Sequence, residues 1–121
     1  MLELKEFSDL CKQYCPEWEH HEDWDDGEYW VSFNRLSDYA MCMYQYEQKK
    51  IFMPQAIIYE NGEFVAATED GIQTTTWEEH IIINVEDTDA KDRLIKCLIK
   101  LHQDYKQIQQ ELKLTKIKED F

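Results

Sequence analysis

Glycine is scarce in this chain. Its three residues, Gly27, Gly62 and Gly71, lie far apart, so no glycine-rich loop can cradle a phosphate, and nucleotide chemistry of that type is excluded. Neither Gly-x-Ser-x-Gly nor His-Glu-x-x-His occurs, which removes the exposed serine nucleophile of the hydrolases and the two-histidine zinc helix. Arginine is limited to Arg35 and Arg93, little for gripping phosphate bidentately. With 26 acids present, carboxylate pairs arise by chance and identify no acid and base. The chain is not expected to be an enzyme.

Long apolar runs are also missing. Stretches such as Ile81 to Ile83 fall far short of the roughly 20 residues a membrane span needs, and MLELKEFSDLCKQYC has no secretory apolar core. A soluble cytoplasmic protein is expected. Four cysteines, Cys11, Cys15, Cys42 and Cys97, are too few for a disulfide scaffold and are expected to be buried thiols. His20-His21 lies near Cys11, Cys15, Glu22 and Asp23, but adjacent histidines point apart and the spacing matches no zinc pattern. Neither metal nor cofactor is expected.

Positive charge is the most telling shortage, with 13 Lys and Arg against 26 Asp and Glu, a net charge of −13 and a pI near 4.6. The imbalance is sorted along the chain. Residues 1–90 hold 5 basic and 21 acidic side chains, net −16, and residues 91–121 hold 8 and 5, net +3. Such a field repels nucleic acid and anionic membrane and attracts basic partners. Its magnitude exceeds the 2 to 8 or so that keeps a small domain dispersed. Composition otherwise describes a folded chain, 43% hydrophobic and 13% aromatic, long enough for one core and one domain over 1–121.

The periodicities predict an α+β fold: a short N-terminal helix, an antiparallel sheet of four to five strands and a long C-terminal helix. Leu4, Phe7, Leu10, Cys11 and Tyr14 recur at helical spacing, and Pro16 stops them, giving a helix over 2–15. Residues 16–27 are expected as an acidic aromatic loop, and 28–86 as the sheet. Strands are expected at 28–34, 55–60 and 63–68, the last two joined by Asn61-Gly62, a dipeptide suited to a two-residue turn with positive φ. Thr74 to Val85 supplies another, with Ile81, Ile83 and Val85 on one face. Residues 39–47 mix strand and helix preferences, and a strand is favoured. Asp87, Thr88 and Asp89 can cap a helix over 88–119, and Lys113, Lys116 and Lys118 suit its negative end.

Leu94, Leu98, Leu101, Tyr105, Ile108 and Leu112 are spaced 4, 3, 4, 3 and 4, the seam of a coiled coil. A helix of ~30 residues is ~45 Å long, longer than a domain of this size is wide. The second half of the seam is therefore expected to find a partner, with Tyr105, Ile108 and Leu112 as homodimer contacts.

The densest chemical signal is EWEHHEDWDDGEYW, Glu17 to Trp30. Seven of the twelve residues from Glu17 to Glu28 are acidic, and tryptophans interrupt them. Carboxylates set along a surface imitate the charge of a nucleic-acid backbone, one per ~1.7 Å of duplex, and tryptophan adds the contact energy that carboxylates lack. Glu17, Glu19, Glu22, Asp23, Asp25, Asp26 and Glu28 are the candidate charges, and Trp18, Trp24 and Trp30 the candidate anchors. Glu60, Glu63, Glu69, Asp70, Glu78, Glu79, Glu86, Asp87 and Asp89, at expected turns and strand ends, extend them into a rim.

In size, acidity, aromatic content and lack of a cofactor the chain resembles the small inhibitors that phages and mobile elements direct against host nucleases, the anti-CRISPR and anti-restriction proteins. That resemblance implies a basic host partner such as a Cas or restriction nuclease, blocked by charge mimicry and steric exclusion, with no direct contact to nucleic acid. An immunity protein that neutralises a cognate nuclease toxin shares the same features. A third reading, a nucleotide sponge or a phage adaptor, draws on Tyr29, Trp30, Tyr39, Tyr44 and Tyr46 as a stacking pocket.

Overall fold

The computed structural model describes residues 1–23, 28–32, 40–74 and 77–119. Among these residues two α-helices, α1 (Leu4–Tyr14) and α2 (Ala90–Glu119), flank seven strands: β1 (Glu19–Asp23), β2 (Glu28–Ser32), β3 (Ala40–Gln45), β4 (Lys50–Met53), β5 (Ala56–Glu60), β6 (Glu63–Ala67) and β7 (Ile81–Asn84). The fold is α+β, as the periodicities predict. Five strands form an antiparallel sheet in the order β1-β2-β3-β4-β7. The Asn61-Gly62 hairpin, β5-β6, is a separate two-stranded sheet inserted between β4 and β7. It is separate from the main sheet, whereas the sequence placed its two strands within one sheet over 28–86.

The segment expected as a loop over 16–27 is corrected in part. Residues 19–23 are β1, paired with β2 from Glu19 opposite Ser32 to Asp23 opposite Glu28. Neighbouring carboxylates disfavour a strand locally, but the ladder with β2 supplies backbone hydrogen bonds that override side-chain preference. Trp24, Asp25 and Asp26 lie outside the described residues.

Alternation along the strands sends Val31, Cys42, Tyr44, Ile51, Met53 and Ile83 to one face, where they are buried with Phe7, Leu10 and Cys11 of α1 and Leu94, Leu98 and Leu101 of α2. The pairings Val31 opposite Cys42, and Tyr44 opposite Ile51 opposite Ile83, fix that face in register. Two contacts fasten the N-terminal segment across it. Leu2 N–H donates to the Val85 carbonyl at 2.8 Å, and the buried Tyr44 hydroxyl donates to the Leu2 carbonyl at 2.9 Å. Three thiols, Cys11, Cys15 and Cys42, are wholly buried. Cys11 Sγ and Cys42 Sγ lie 3.9 Å apart, and Cys15 Sγ donates to the Leu98 carbonyl at 3.8 Å.

The α2 seam leaves the core gradually. Leu94, Leu98 and Leu101 are buried, Tyr105 and Ile108 are half-buried, and Leu112 is 39% exposed. The hairpin covers part of the second half. Phe64 stacks on Tyr105 with ring centroids 4.8 Å apart, and Tyr59 meets Phe64 edge-on at 5.2 Å. Gln55 anchors the hairpin base: its amide donates to the Glu79 carbonyl at 2.6 Å, its side-chain oxygen accepts from Glu69 N–H at 3.1 Å, and its backbone carbonyl accepts from Lys100 Nζ at 2.9 Å. No helix among the described residues is long and apolar enough to cross a membrane.

Candidate protein-binding surface

The acid-aromatic segment divides once its residues are placed. Trp18 is 3% exposed and belongs to the core. Its ring meets Tyr105 edge-on at 5.5 Å and His102 at 6.3 Å, so this tryptophan fastens the start of β1 to α2 and does not stand out as a surface anchor. Glu17 is likewise turned toward the protein. Its Oε1 accepts from His102 Nε2 at 3.2 Å and from Lys106 Nζ at 3.1 Å. Partial burial opposes ionisation of Glu17, but its own backbone N–H, His102 and Lys106 outweigh it and hold the carboxyl below the usual carboxylate range. Two of the ten candidate binding residues are thereby occupied within the fold.

The acids after Trp18 occupy the sheet margin. Among the described residues β1 is an edge strand, and Glu19, Glu22 and Asp23 lie on it, with Glu28 paired to Asp23. An edge strand presents unpaired backbone groups, and charge on it discourages pairing with other sheets while leaving it open to a complementary surface. Trp30 is in register with His21 on one side and Met43 on the other.

Elsewhere the acids collect at the turns. Glu60 and Glu63 flank the β5-β6 turn, Glu69 and Asp70 the next one, Glu78 lies in the helical turn Trp77–Glu79, and Glu86, Asp87 and Asp89 precede α2; all are exposed, and Glu79 is half-buried. Four of the eight Lys and Arg of α2 are matched to acids of the same chain. Lys91 reaches Glu6 at 3.9 Å, Arg93 reaches Asp87 at 3.9 Å, Lys100 reaches Asp104 at 3.1 Å and Lys106 reaches Glu17.

The aromatic stacking pocket loses its centre. Tyr44 is buried against Phe7, with ring centroids 5.5 Å apart, and burial raises its hydroxyl pKa. Tyr46 is well exposed, Tyr39 lies outside the described residues, and Arg93 is engaged by Asp87 and the Ile82 carbonyl. No group of three or more His, Cys, Asp or Glu among the described residues is placed to hold a metal.

A feature the sequence did not signal is a groove between β5 and α2. It consists of two adjoining depressions of about 390 and 320 Å³ that share Ile57, Ile58, Ile108 and Glu111. Hydrophobic periodicity reads one element at a time, and this groove depends on two that are distant in sequence. Comparison with protein-family models, with curated proteins and with solved structures returns no match.

Proposed function

We propose that the protein is a small acidic inhibitor that binds a basic nucleic-acid enzyme, such as a Cas or restriction nuclease, and excludes nucleic acid from its groove by charge mimicry and bulk. The observation that carries this reading is the acid-rich edge strand β1, Glu19 to Asp23, at the open margin of the sheet. The exposed acids of the turns add to it. With 26 acids against 13 Lys and Arg, half of the chain's negative charge is left unbalanced by its own basic side chains. Charge of this kind speeds encounter with a basic partner and selects against anionic ones.

The test is charge reversal on the edge. The tagged protein is used to capture partners from nuclease-treated bacterial lysate at low and high salt, beside a variant carrying Glu19→Lys, Glu22→Lys and Asp23→Lys. Capture of a nucleic-acid enzyme, lost as salt rises and lost in the variant, with nucleic-acid binding by that enzyme blocked in vitro, is the expected result. An enzyme that the folded variant inhibits as well as the wild type does would remove β1 from the contact.

A further inference from the structure

The groove between β5 and α2 has the composition of a docking site. Its lining mixes apolar side chains, Ile57, Ile58, Ile108 and Leu112, with at least as much polar surface, and Tyr59, 40% exposed, stands at its side. Its rim is acidic. Glu69, Asp104 and Glu111 line it against a single cation, Lys100, which is already held by Asp104 and the Gln55 carbonyl. It follows α2 from Lys100 to Thr115, about 22 Å at 1.5 Å per residue, room for about four turns of another helix.

We propose that this groove docks a basic amphipathic helix of the target protein, its apolar side chains at i, i+3, i+4 and i+7 against Ile58 and Leu112 and its Lys and Arg against the rim. The proposal rests on the reading of the protein as a binder of basic proteins and names a second contact for it. Charge selects this occupant over a second copy of the chain. A two-fold interface brings the same patch of each copy together, so the acidic rim of one copy would meet the acidic rim of the other, whereas a basic helix meets it with opposite charge.

The test uses fluorescence anisotropy with a labelled helical peptide of leucine and lysine, and a scrambled peptide of identical composition whose leucines share no face. Leu112→Lys alters the groove. Leu114→Lys places the same charge two residues on, at a position 59% exposed and turned to the other side of α2. The amphipathic peptide is expected to bind at least about tenfold more tightly than the scrambled one. Leu112→Lys should remove that margin, Leu114→Lys should keep it, and both should retain wild-type circular dichroism. Equal binding of the two peptides, or equal loss in the two variants, would overturn the proposal, as would a light-scattering dimer that Leu112→Lys dissociates. The β1 charge-reversal variant separates the two readings: retained peptide binding with lost enzyme capture leaves the groove standing, and peptide binding lost in that variant would place the contact on β1.

Discussion

Trp18 and Glu17 sit side by side in sequence and hold α2 by different means, and the two should be told apart by mutation. Truncation of a wholly packed indole leaves a cavity against Tyr105 and His102, so Trp18→Ala is expected to cost about 3–5 kcal/mol in urea unfolding. Loss of binding in that variant would report unfolding, not a lost anchor. Glu17→Gln removes an ion pair whose partners are half in water, and about 0.5–1 kcal/mol is expected at neutral pH. Because the carboxyl is held below its usual range, its contribution is present above the ordinary carboxylate pKa and fades as pH falls through the folded value. The gap between wild type and Glu17→Gln should therefore close in acid. Sequence patterning marked the charge of this segment but not its direction. Trp18 is buried because Tyr105 lies some ninety residues on along the chain, and no local pattern records that meeting.

Among the elements, those defined by local signals were legible. Pro16 follows the end of α1, the seam lies along α2, and Asn61-Gly62 makes its turn with φ of 52° and 81°. A Cβ built on Gly62 meets nothing within 4 Å, so Gly62→Ala should cost only the backbone penalty, about 1 kcal/mol, read as an earlier thermal transition with the far-ultraviolet spectrum unchanged. Within 39–47, where the propensities are mixed, Ala40–Gln45 form β3 because β2 and β4 pair on both sides. β4 was missed for its shortness: KIFM is too brief to establish a period, and its burial comes from standing inside the sheet. β1 was missed because its stability lies in the ladder and not in EHHED.

For the molecule as a whole, charge acts with opposite signs on folding and on binding. A net charge of −13 repels itself in the compact state, and added salt screens that repulsion. The melting temperature is expected to rise by several degrees between low and about half-molar sodium chloride, over the same range in which a basic partner is released. A falling melting temperature would mean that the ion pairs along α2 outweigh the repulsion. The buried sulfurs carry a different consequence. Burial raises the thiol pKa of Cys15 and Cys42, and of Cys97 against the pull of Arg93 and Lys100, but only Cys97 is partly open to solvent. A thiol-reactive dye added to the native protein should label Cys97 first. Cys11, Cys15 and Cys42 should follow only as often as the helices part from the sheet, so their labelling rate is a built-in clock for the opening of the core.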